Sequence, residues 1–165
     1  MDELIDGFRT ETLDLVGQLT ELLEAIEGDY SQFQKLDQFG QTIDRVMGAA
    51  KSIALAMPER RDQFTTIGTY CELCKQIGYK ASQVGNNAHL FDVVVALLMD
   101  ATEMLNEIVE HLEDPKAGNV KTYLTATFQD RLRWLVTQFP EGLRGTLGDG
   151  PARQSIDELL KQLAK

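Results

Sequence analysis

The sequence predicts an all-α fold, an up-and-down antiparallel helical bundle, on three observations. Apolar residues recur every three or four positions along most of the 165 residues, the period of one helix face. Only four prolines interrupt the chain. Val, Ile and Thr never alternate cleanly with polar residues over the roughly four to eight positions of a half-buried strand.

The elements follow in order. Leu4, Ile5, Phe8, Leu15, Leu19, Leu22, Leu23 and Ile26 form one stripe, which predicts a helix from Asp2 to about Ala25, stopped by Gly28-Asp29. Ser31 is an N-cap residue type, so a second helix is expected from there to about Met57. Pro58 cannot continue it and disfavours helical geometry in the residue before. A third spans about Gln63 to Gln83, weakened by Gly68 and Gly78 at about 1 kcal/mol of propensity each. Gly85-Asn86-Asn87 is a turn, and a fourth helix runs from about Ala88 to Leu112, ending before Asp114-Pro115. The fifth covers about Val120 to Gln138, with Tyr123, Phe128, Leu132, Leu135, Val136 and Phe139 as its stripe and Trp134 expected in the core.

Residues 1–140 therefore read as the bundle. Residues 141–151 hold four glycines and little that packs, the composition of a flexible linker. In residues 152–165, Ser155 and Glu158 have the spacing of a capping box, and Ile156, Leu159, Leu160 and Leu163 fall at i, i+3, i+4 and i+7. This is a short amphipathic helix on a tether, able either to pack as a sixth bundle helix or to dock on another protein.

Charge and composition exclude several classes. Sixteen Lys and Arg against 26 Asp and Glu give a net charge of −10, and an acidic surface repels nucleic-acid backbones and anionic membranes. Apolar runs such as Leu90 to Met99 are broken by charge well short of the roughly 18 residues of a membrane span. The N-terminal residues lack the basic and apolar regions of a secretory leader, so the expected location is the cytoplasm. Cys71-x-x-Cys74 lacks the two further ligands of a zinc site and the preceding strand of a redox site, and reads as small core residues. No metal site and no cofactor of its own is expected.

The second helix carries the informative surface. Leu36, Phe39, Ile43, Val46, Met47, Ala50, Ile53, Ala54 and Met57 form its buried stripe, and Asp37, Gln41, Asp44 and Gly48 fall on the opposite arc. Asp37 and Gln41 are one turn apart, about 6 Å along the axis. An amide with both a donor and an acceptor can hold a water in line with a reacting phosphoryl group. A carboxylate beside it can pair with a partner's cation, and a glycine lets a partner's backbone come close. The same D-x-x-x-Q spacing recurs from Asp14 to Gln18.

The stretch from Leu36 to Met47 resembles the catalytic helix of the CheZ family of chemotaxis phosphatases, an aspartate followed four residues later by a glutamine that a glycine precedes. That resemblance implies that Gln41 orients the water that hydrolyses the phosphoaspartate of a CheY-type response regulator. Asp37 would contact the regulator's active-site lysine. Residues 1 to about 139 also resemble a histidine phosphotransfer (Hpt) domain, in particular that of the CheA kinases, which implies an Hpt-like four-helix core with a fifth helix. Asp44-Arg45-Val46-Met47-Gly48 lies where such domains carry H-x-x-K-G. The glycine is kept but the histidine is Asp44 and the lysine Met47, so a phosphohistidine relay is not implied. His89 and His111, near the ends of the fourth helix, do not replace it. The segment from Gln154 to Leu163 resembles the CheY-binding helices of CheZ and of the flagellar switch protein FliM, which share an I/V-D-x-L-L core.

Together these resemblances imply a CheZ-like phosphatase for a CheY-type regulator in chemotaxis or two-component signalling. Asp37 and Gln41 would carry the chemistry. Asp44, Arg45 and Gly48, with Ile156, Asp157, Leu159, Leu160 and Leu163 of a tethered C-terminal helix, would bind the regulator. The Mg²⁺ would be held by the partner receiver domain. The alternative is an inert pseudo-Hpt adaptor in which Asp44 stands in for phosphohistidine.

Overall fold

A computed structural model describes residues 2–145 and 155–164. The described residues form six α-helices and no strand: α1 (Glu3–Ile26), α2 (Leu36–Ala56), α3 (Arg61–Ala81), α4 (Ala88–Glu110), α5 (Ala126–Gln138) and α6 (Ile156–Ala164). α1 packs against α2 and α4, and α3 packs against the same two helices; the pairs α2/α3 and α1/α4 are antiparallel. None of these helices is long and apolar enough to cross a membrane.

Two helix starts differ from expectation. The second helix begins at Leu36, not Ser31, because Asp29 takes the capping role. Its carboxylate accepts from the Ser31 amide at 3.2 Å and from Gln32 Nε2 at 2.7 Å. Residues Tyr30–Lys35 form a 3-10 turn instead. Tyr30 anchors that turn to α4: its ring lies 5.6 Å from that of Phe91, and its hydroxyl accepts from the Asn87 amide at 2.6 Å. The fifth helix likewise starts at Ala126, with Thr125 as its cap, while Val120–Tyr123 is a separate 3-10 turn. Trp134 is 42% exposed rather than in the core; the buried stripe of α5 is Phe128, Leu132 and Leu135.

The third helix is the centre of the molecule. Contacts with α2, α4 and α6 bury Lys75, Gln76 and Gly78 of α3 as well as Ile67, Leu73 and Ile77. Tyr70 donates its hydroxyl proton to the Ala101 carbonyl of α4 at 2.6 Å, satisfying a polar atom inside the core. Cys71 and Cys74 are buried free thiols, as the sequence predicts, and burial pushes Cys74 up to about 12.

The C-terminal helix corrects the tethered reading. Ile156, Leu159, Leu160 and Leu163 are only 1–3% exposed, and α6 packs against α3, α5 and the turn at 120–123. Ser155 caps the helix as the spacing predicts: its Oγ accepts from the Glu158 amide at 3.1 Å and donates to the Glu158 carboxylate at 3.2 Å, a side-chain variant of the capping box. The physical reason is burial. Each large aliphatic side chain removed from water stabilises by about 1.5–3 kcal/mol, and a groove on the same chain is always within reach. The first part of the expected linker is also fixed. Leu143 packs on the core, and the Gln83 amide clamps Arg144 at both its carbonyl (2.7 Å) and its amide (3.0 Å). The rest of the linker expected at 141–151, from residue 146 on, lies outside the described residues.

Candidate functional site

The outer face of α2 is held by α3. Gly40 faces the Tyr79 ring, Asp44 faces Lys75 and Lys51 faces Gly68, each pair equally far on either side of the Pro58–Arg60 turn. Close approach depends on two glycines. A β-carbon on Gly40 would lie 2.8 Å from the Tyr79 ring, and one on Gly78 would lie 3.1 Å from the Leu36 carbonyl oxygen. The glycine that precedes Gln41 is therefore filled by the chain's own tyrosine and is not open to a partner's backbone. Gly48 is open, with nothing within 4 Å of where its β-carbon would stand.

On this face Gln41, Asp44, Arg45 and Gly48 are exposed and Asp37 is half-buried, so the predicted arc is at the surface. Among the described residues neither Asp37 nor Gln41 makes a side-chain hydrogen bond or ion pair. Asp44 is engaged: Lys75 Nζ lies 3.3 Å from its Oδ1 and 3.0 Å from Glu72 Oε2. The Lys75 side chain is 10% exposed, and its charge is held between the more sheltered Glu72 carboxylate and the half-exposed Asp44 carboxylate. Arg45 lies 4.0 Å from Glu11 with both groups well exposed, a weak contact.

Sequence reasoning missed Tyr79, Lys75 and Glu72. The signal that locates the first two is the short turn at Pro58–Arg60. Folding α2 back on α3 there pairs residues equidistant from it, and this fixes Gly40 with Tyr79 and Asp44 with Lys75.

The other predicted binding residues are placed elsewhere. Ile156, Leu159, Leu160 and Leu163 belong to the core, and Asp157 is exposed and acts electrostatically on Lys80 of α3. Glu107, Glu110 and His111 bring ligand atoms within 4.8 Å of one another at the end of α4, but all three are exposed helix neighbours with no buried support. Comparison with protein-family models, curated proteins and solved structures finds no match to this chain.

Proposed function

We propose that the chain is a CheZ-like phosphatase whose α2 face docks a CheY-type response regulator and promotes hydrolysis of its phosphoaspartate. One observation carries the reading: Asp37 and Gln41 lie one turn apart at the surface with no partner among the described residues, on a helix locked against α3. A water-positioning amide needs a rigid support and an uncommitted side chain, and this face has both. The ring of neighbours α1, α2, α3 and α4 supports an Hpt-like four-helix core.

In the proposed reaction a water oxygen bonds to phosphorus as the bond to the aspartyl carboxylate oxygen breaks. The electron pair leaves with the carboxylate, and the water's proton ends on inorganic phosphate or in solvent. Gln41 holds the water in line. Asp37 pairs with the regulator's lysine, and the regulator brings its own Mg²⁺. Asp44, Arg45 and Gly48 flank the docking surface, and α6 contributes to it only indirectly, by holding α3.

The Asp44–Lys75 pair favours the adaptor as a second reading, because a fixed carboxylate at position 44 mimics a negative phosphohistidine. Phosphate release from a phosphorylated CheY-type regulator separates the two. Acceleration of about 10²-fold or more supports the phosphatase. Binding without acceleration leaves the adaptor, and absence of binding removes both.

A further inference from the structure

We propose that the Tyr79 hydroxyl is a third member of the Asp37–Gln41 site, a neutral donor to the oxygens of the transferring phosphoryl group. The role rests on the phosphatase reading and adds to it a residue on a different helix. Three ring carbons of Tyr79, Cε1, Cε2 and Cζ, lie 2.8–2.9 Å from the place of a β-carbon on Gly40, so the hydroxyl-bearing end of the ring lies across α2 at that residue. Gly40 precedes Gln41 directly, with Asp37 one turn before it and Asp44 one turn after.

The hydroxyl is uncommitted. Tyr79 takes hydrogen bonds at its backbone carbonyl, from Ser82 Oγ at 2.6 Å and Gln83 Nε2 at 2.8 Å, but among the described residues its O–H has no partner. The residue as a whole is 4% exposed, and its hydroxyl is not among the water-excluded polar atoms that lack a partner. Burial first, then Asp44 and Asp37, push its pKa up to about 12, which keeps the proton on the oxygen.

Chemistry gives such a donor a purpose. Phosphoryl oxygens only accept hydrogen bonds, and a docking phosphoaspartate meets two carboxylates here, Asp37 and Asp44, that repel it. Lys75 is tied to Asp44 and Glu72, and Arg45, one turn beyond Gln41, makes only a 4.0 Å exposed contact with Glu11; beside Gly40 the Gln41 amide and the Tyr79 hydroxyl are neutral, uncommitted donors. With Gln41 occupied by the water, Tyr79 is placed to serve the phosphoryl group, and a fixed donor is worth most where charge builds in the transition state.

The test measures phosphate release from phosphorylated CheY-type regulator with Mg²⁺ for the wild-type chain, Tyr79→Phe and Gln41→Ala. Phenylalanine keeps the ring on Gly40. The expected result is a loss of about 10²-fold in the rate at saturation, with an unchanged half-saturating concentration and melting temperature. A Tyr79→Phe chain as fast as wild type, beside an inactive Gln41→Ala, overturns the role of Tyr79 and leaves the phosphatase standing. A loss tracking a lowered melting temperature overturns it as well, since the hydroxyl would then be structural. A wild-type chain without acceleration removes the phosphatase reading itself.

Discussion

The chain carries the pattern D-x-x-G-Q twice, Asp14 to Gln18 on α1 and Asp37 to Gln41 on α2, and the two copies have different surroundings. On α1 the side chains satisfy each other: Gln18 Nε2 donates to Asp14 Oδ2 at 3.0 Å. Gly17 is open, with nothing within 4 Å of where a β-carbon would stand. On α2 Asp37 and Gln41 are unengaged among the described residues, and Gly40 is covered by Tyr79. Helical spacing puts an acid and an amide side by side in both places. What differs is the neighbouring helix, which turns one copy into part of a surface built from two elements.

The sharpest way to break this comparison is catalytic. Gln41→Ala is expected to lower regulator dephosphorylation by about 10²–10⁴-fold at unchanged helix content, while Gln18→Ala leaves the rate unchanged. Equal effects in the two variants, read by phosphate release and circular dichroism, would dissolve the distinction between the copies.

Next in size is a contrast between the α2 face and α6, both of which the sequence marks as regulator-binding. Leu160→Ala is expected to cost about 2–5 kcal/mol in denaturant unfolding, because that side chain is in the core. Substitutions at the exposed Asp44 or Arg45 carry no such cavity term. A truncation after Gly150 that melted like the full chain would show that α6 contributes nothing to the bundle.

Smaller effects separate the two glycines. Gly40→Ala forces the Tyr79 ring to move and is expected to destabilise by about 1–3 kcal/mol. Gly17→Ala meets open space in a helix interior and is expected to stabilise by about 0.5–1 kcal/mol. Thermal melts of the two variants should therefore shift in opposite directions. Smallest is Gln18→Ala, whose lost exposed i, i+4 hydrogen bond is worth about 0.2–0.5 kcal/mol in stability.

The sequence by itself determined the helices and which face of most of them is apolar. The stripes of α1, α2 and α4 are local periodic features, and the capping box of α6 is set by Ser155 and Glu158 alone. It also placed Asp37, Gln41 and Asp44 on one surface of α2, since that follows from 3.6 residues per turn. Tertiary structure decided the rest. α3 looked weakest because Gly68 and Gly78 lower its propensity, yet Gly78 is what lets α2 pack closely on it, and contacts with α2, α4 and α6 make it central. The starts of α2 and α5 shifted because Asp29 and Tyr30, and then Thr125, bound the chain in ways that propensity does not encode. Amphipathicity could not say what α6 covers: an apolar stripe has the same pattern whether a partner or the chain's own core receives it. Tyr79 reaches Gly40, and Lys75 reaches Asp44, only because the Pro58–Arg60 turn folds α3 back along α2 and brings together residues more than 30 apart in sequence.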